Sequence, residues 1–486
     1  MGCGRLGFDA ASDAGSDADA GLPALVCSVP AAPDLSVPDL VVGDGTPASC
    51  TETALRTAVL GGGVITFDCG AASTTIAVTS ELVIAAPDTV LAAGGLVTLD
   101  GGGLTRLIHA TTSVQSLTLM GLELRNGATT GYGAGVYVEA GTLRVFDSNF
   151  EDNIGPAMSP NAGGGAIAAA PGVSVVIAGS RFDGNFSASG GALSVFSDLI
   201  VTDTLFTDNI ATGTGGSSAM GGLGGAIASV GIADNSFCAV GLSQNRAGFA
   251  GAGYLRISTN GSGSDRWERS TLQDNLVPTG GGGGGMYVQN VALELDRVAI
   301  VGNRGGIGGG IWYIGSGPFV ATNLLVADNV ATSGLGAGLS IGDVPGEIRF
   351  STIAGNHASC PACWAGAIDG SGVTLTATVI AGNRADAPGS PVSCRATLPD
   401  GGTNFQWPVL RSGGGSDDPT ALCTAGVRLL DPKVGFRATA IGPAGTFPVI
   451  RPLADSAVIG AATGCPATDL LGLPRPTPCA AGALEP

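Results

Sequence analysis

Apolar and polar residues alternate along this chain in runs too short for helices. Val173-Ser-Val-Val-Ile177, Leu199-Ile-Val-Thr202, Leu293-Glu-Leu-Asp-Arg-Val298 and Val373-Thr-Leu-Thr-Ala-Thr-Val379 set aliphatic side chains against polar ones, as half-buried β-strands do. Two markers punctuate these runs. The first is glycine-rich and enters an apolar run: Gly133-Ala-Gly-Val-Tyr-Val138, Gly163-Gly-Gly-Ala-Ile167, Gly190-Gly-Ala-Leu193, Gly224-Gly-Ala-Ile227, Gly251-Ala-Gly-Tyr254, Gly283-Gly-Gly-Met286, Gly308-Gly-Gly-Ile311, Gly336-Ala-Gly-Leu339 and Ala365-Gly-Ala-Ile368. The second is an apolar residue followed by two residues and an asparagine, giving Asn153, Asn185, Asn209, Asn245, Asn275, Asn303, Asn329, Asn356 and Asn383. The markers alternate strictly.

Successive asparagines lie 24 to 36 residues apart, the length of one β-solenoid coil. The segments are too rich in Gly, Val, Thr and Asn for helical repeats. Equivalent residues of stacked coils sit one above another at about 4.8 Å. An asparagine column can then form an amide ladder and accept a left-handed turn, glycine permits sharp turns, and inward Phe, Leu, Ile and Val make the core. The predicted fold is all-β, a right-handed parallel β-helix, with roughly 12 coils between Ile65 and Ile380 and a rod of about 55 to 60 Å at that spacing.

Composition narrows the functions. Glycine contributes 83 of 486 residues and 12% are charged, which fits neither a disordered chain nor, without a three-residue glycine period, collagen. The net charge is -18 and Lys433 is the only lysine. Nucleic acid is excluded as a partner, since phosphate binding needs clustered Lys and Arg. The acidity reads as a solubility device; weak Ca²⁺ binding at acidic turns is the one cofactor considered, and no metal site is assigned. The longest apolar stretch, Leu82 to Leu99, is broken by Pro87, Asp88 and a glycine pair, so no transmembrane helix is expected.

The chain opens Met1-Gly2-Cys3-Gly4 and continues as an acidic, small-residue tract to Gly21, read as a flexible tether. A cysteine after a small residue and before such a tether resembles the mature start of a bacterial lipoprotein, which implies lipidation of Cys3. The ten other cysteines suit an exported, disulfide-bonded protein. Spacing pairs Cys50 with Cys69, Cys394 with Cys423 and Cys465 with Cys479, and reads Cys360-Pro-Ala-Cys363 as a local loop disulfide; Cys27 and Cys238 are left unassigned.

The alternating markers between Gly133 and Asn383 resemble the repeats of polymorphic outer-membrane proteins. Ser49-Cys-Thr-Glu-Thr-Ala-Leu-Arg-Thr-Ala58 is similar to the CSLREA-type segment of exported bacterial β-helix proteins. Gly464-Cys-Pro-Ala-Thr-Asp469, Gly472-Leu-Pro-Arg-Pro476 and Cys479-Ala-Ala-Gly-Ala-Leu-Glu485 resemble the closing region of choice-of-anchor Q proteins. These likenesses imply export, a cell-surface or outer-membrane place and a pectin-lyase-like solenoid. The chain then divides into a tether over 1–24, an N-terminal cap over 25–69, coils over 70–395, and further coils with a disulfide-bonded cap over 396–486.

Little is left to specify chemistry. Asp152, Asp208, Asp274 and Asp328 precede ladder asparagines and read as turn residues rather than catalytic acids. His109 and His357 have no partner in the repeat register. The densest polar segment, Asn260 to Arg269, offers Asp265, Arg266, Trp267 and Arg269; with Trp312 these are the binding candidates, against a reading as a solvated loop. Trp312, Tyr313, Tyr287 and Tyr254 stand in corresponding places and form either a surface stripe or core. Two functions are carried forward: a non-enzymatic, monomeric surface scaffold or adhesin binding glycan or envelope partners, and a polysaccharide lyase or glycoside hydrolase with a lateral site. Convergent acids with Arg from adjacent coils would favour the enzyme.

Overall fold

A computed structural model describes residues 27–28, 31–157, 163–213, 222–258, 260–278, 280–315, 317–408, 421–442 and 445–486. Parallel strands stack into a β-solenoid of about 13 turns, with 45% strand and 3% helix, as the short alternating runs require. Each coil contributes strands to three faces. Face 1 is an 11-stranded stack from Leu82–Ile84 to Ile368–Gly370, entered from the glycine-rich markers. Face 2 runs from Leu40–Val42 through Thr142–Phe146 to Val373–Thr376, and face 3 from Thr74–Ala77 through Asn149–Glu151 to Arg428–Leu429. Long strands such as Asp88–Asp100 and Leu199–Thr207 round the corner between them, so faces 2 and 3 form one 23-stranded sheet.

In-line register turns sequence periodicity into columns. Ile108, Val136, Ile167, Leu193 and Ile227 pair successively on face 1 and are all buried. On face 3 Phe150, Phe182 and Phe206 stack at 4.7 Å between ring centroids, which matches the coil spacing and fills the core without gaps.

The nine marker asparagines are buried and form one continuous ladder. Each side-chain amide from Asn153 to Asn356 donates to the next asparagine's oxygen at 2.9 to 3.0 Å. Each also donates to a carbonyl of the preceding coil, as Asn275 does to Leu242 at 3.0 Å. The left-handed turn expected of the asparagines belongs to the residue before them: Asp152, Asp208, Gln244, Asp274 and Asp328 have φ between 51° and 59°, and glycine takes the other four places. That turn is what aims the asparagine inward.

Leu40–Val42 and Gly63–Phe67, within the segment read as the cap, pair as rungs of face 2, and Phe405–Trp407 and Arg428–Leu429 continue face 3 past residue 395. The helix Glu52–Gly61, capped by Thr51, buries Leu55, Ala58 and Val59 against the first coil. At the other end, residues 431–486 double back along the outside of face 3. Phe447, Val449, Val458, Leu470 and Leu484 there pack on Val301, Leu325, Ala327, Ala354 and Val379, while Arg475 donates to Asn323 Oδ1 and Asn323 Nδ2 donates to the Thr468 carbonyl.

Disulfides join Cys50–Cys69, Cys360–Cys363, Cys394–Cys423 and Cys465–Cys479, together with Cys27–Cys238 across 211 positions. Such bonds persist in oxidising compartments and are consistent with an exported protein. No helix among the described residues is long and apolar enough to cross a membrane. The tether over 1–24 and Cys3 lie outside the described residues.

Candidate functional site on face 1

Face 1 strands are mostly three or four residues long, so each coil offers one outward side chain at their centre. Register places His109, Tyr137, Ala168, Ser194, Ala228, Leu255, Tyr287, Trp312 and Ser340 in that outward column. The three small residues after Tyr137, Ala168, Ser194 and Ala228, leave a trough of about 290 Å³. Tyr132, Tyr137, Ala168, Ser194, Ala228 and Val230 are among its lining.

Charged groups converge at the upstream end of the trough. Glu81 stands before its strand, His109 at the centre of the next and Glu139 just after the third. Glu81 Oε1 lies 3.5 Å from His109 Nδ1, and Glu139 Oε1 lies 3.1 Å from Nε2. The second contact lacks hydrogen-bond alignment, and buried Nε2 has no hydrogen-bond partner. Arg106 binds Glu81 Oε2 at 2.7 Å and donates to the carbonyls of Tyr132 and Gly133 at 3.0 and 3.1 Å. Its guanidinium also lies 5.4 Å from the Tyr137 ring centroid. His109, Tyr137 and Tyr132 form a pile, with centroids 5.4 and 5.3 Å apart. Burial, reinforced by Glu139, raises the Tyr137 pKa above that of an ordinary phenol, so its hydroxyl remains a donor at neutral pH. A separate open depression, bordered by Leu104, Thr129 and Ile154, is lined by Glu81 and Arg106.

His109 was expected to lack a partner, and the structure corrects this. Its neighbours are 28 and 30 residues away, in adjacent coils, where linear spacing shows no cluster. His357 is also paired, with Nε2 2.8 Å from Asp386 Oδ1.

The segment read as a loop is partly strand. Ser264–Glu268 adds a rung to face 2, and its alternation turns Asp265 and Trp267 inward, with 1% and 0% exposure, and Arg266 outward. Asp265 accepts hydrogen bonds from Tyr254 at 2.6 Å, Asn235 at 3.1 Å and Arg256 at 3.2 Å. Arg256 directs its remaining donors to the carbonyls of Gly231, Ile257 and Ala233. Burial pushes the Asp265 carboxyl up to about 6, against the pull of Arg256 and its hydrogen bonds. Trp267 stacks on Phe237 at 3.8 Å. Neither Asp265 nor Trp267 has a surface to offer a ligand. Arg269 is also buried, at a face 2–face 3 corner, and approaches Cys238 Sγ at 3.5 Å. Trp312 is half-buried on face 1 against Tyr287, whereas Tyr254 and Tyr313 lie in the core.

Among the described residues, no group of three or more His, Cys, Asp or Glu side chains is arranged to hold a metal ion. No family model, curated protein or solved structure compared with the chain matches it.

Proposed function

We propose that the protein is an exported solenoid that binds a glycan along face 1. The trough between Tyr132, Tyr137 and the downstream apolar groups carries this reading. Tyrosine faces at its upstream end, a floor of small residues and polar groups at one margin are what a sugar chain requires. Trp312 and Tyr287 extend the surface downstream, while Arg266 belongs to a separate outward position on face 2. A lipid on Cys3 and an acidic tether would hold such a rod at the cell surface. Incorporation of labelled fatty acid that is lost in Cys3→Ser checks the anchor.

A glycan array probed with the wild-type protein and with Ser194→Trp tests the trough. Ser194 points outward, so the indole fills the trough without entering the core. The wild type binds a defined oligosaccharide class and the variant loses it; equal binding by both defeats the proposal. The hydrolase or lyase reading is favoured by one observation, the placing of His109 between two carboxylates with Arg106 from adjacent coils. Assays for new reducing ends and unsaturated products decide between the two: products that vanish in His109→Ala make the site catalytic, and their absence leaves a binding surface.

A further inference from the structure

The charges at the upstream end of the trough are unevenly matched. Glu81 is neutralised by Arg106, whose side chain is only 13% exposed and whose remaining donors face Tyr132, Gly133 and Thr129. That guanidinium is committed and cannot turn to a ligand carboxylate. Among the described residues Glu139 has no arginine or lysine partner. Its contact is instead with the His109 ring, at 3.1 Å and out of hydrogen-bond alignment. The Glu139 side chain is 29% exposed, and it follows Val138, the partner of Ala169, so that it stands level with Ala170 of the next coil, which lines the trough. A carboxylate without an arginine or lysine partner therefore stands beside the Tyr132–Tyr137 pile, and the phenol of Tyr137 is held protonated.

Aromatic faces next to a carboxylate attract an ammonium group through the ring quadrupole and direct charge pairing. A uronate or sulfated sugar would meet the Glu139 carboxylate, a committed arginine and a chain of net charge -18, all unfavourable to an anion. We propose that this end of the trough is an ammonium pocket, and that the glycan is an amino-sugar oligosaccharide with free amines, its amine on Glu139 and a sugar ring against Tyr132. The inference rests on the glycan reading of face 1 and deepens it.

Titration calorimetry of the full chain tests it with three probes of equal length: a glucosamine oligomer, its N-acetylated counterpart and a uronic acid oligomer. The wild type is expected to bind the free amine at least about tenfold more tightly than the acetylated form, which is about 1.4 kcal/mol, and not to bind the uronate. Glu139→Gln keeps the shape and removes the preference, whereas Glu347→Gln on face 2 removes one surface charge and leaves it intact. Equal or tighter binding of the acetylated or uronate probe overturns the inference, as does a preference that survives Glu139→Gln or falls equally in Glu347→Gln. If a different glycan binds and Ser194→Trp blocks it, the ammonium pocket fails and the trough stands. If no glycan binds, both fail.

Discussion

Asn275 shows how much a single side chain holds in a stacked fold. Its Nδ2 donates to Leu242 and Asn303, and its Oδ1 accepts from the backbone and side chain of Asn245. Asn275→Ala leaves buried donors and acceptors in two coils unpaired and is expected to cost about 3 kcal/mol, read as a lowered unfolding free energy in urea titrations. A second column has one flaw. Gly283 has φ +66°, and a Cβ there would lie 2.2 Å from the Met286 carbonyl oxygen; its equivalent in the last matched marker is Ala365, at φ +57°. Ala365→Gly therefore relieves left-handed strain and should stabilise the protein by about 1 kcal/mol, visible as a raised urea midpoint. Asp265 supplies a pH signature. A carboxyl whose pKa rises on folding holds its proton more tightly in the native state, so its contribution is full below 3.8 and is lost as pH rises to about 6. Relative to Asp265→Asn, the wild type should lose stability across that window; parallel pH curves would refute the assignment. The asparagine column was legible because every coil repeats it. The ion pair of Asp265 with Arg256 was not, because polar letters in a glycine-rich stretch read as solvent-facing until the strand's phase is known.

At the scale of strands, the structure contains two ladders where the sequence announced one. Five positions before Asn153, Asn185 and Asn275 stand Ser148, Ser180 and Ser270. Their hydroxyls donate to the carbonyl two residues back and accept a backbone N–H from the preceding coil. The column is interrupted by Val240, Val298 and Leu324, which hid it among ordinary strand residues. Another signal lay in the open. After the apolar residue of the second marker come Glu151, Asp183, Thr207, Ser243 and Gln273, and then Val301, Ala327, Ala354 and Ala381. The switch from polar to apolar marks where residues 431–486 cover face 3, so those strands are buried on both sides. Ala327→Glu places a charge under that cover. Limited proteolysis should then cut within 431–486 while the far-ultraviolet spectrum of the coils is unchanged; resistance equal to the wild type would show that the segment is held elsewhere.

The molecule as a whole is a quasi-one-dimensional array, in which each coil is stabilised chiefly by its neighbours and the ends are the weakest places. The repeat made this architecture readable from the sequence. The Cys27–Cys238 closure was not readable, since Cys27 lies outside any repeat and its partner is fixed only by where the chain passes in space. From Leu40 the face 2 register climbs through Ile65, Leu91, Leu119, Val145, Ile177 and Val201 to Phe237, seven steps, or about 34 Å. Thirteen residue steps reach at most about 45 Å, so residues 31–39 run lengthways along the rod. Cys27→Ser should raise amide exchange over residues 31–39 and leave the ladder coils protected; unchanged exchange would mean that the connection is held without its bond. The bond also redirects force. Tension applied to the chain ahead of Cys27 enters the rod at Cys238, in the eighth rung of face 2, and bypasses the seven rungs below it. Those rungs, which carry the proposed Glu139 pocket, stand outside the load path. A rod pulled between its amino-terminal segment and its downstream end would thus bear strain beyond Cys238 while the pocket rungs stay slack.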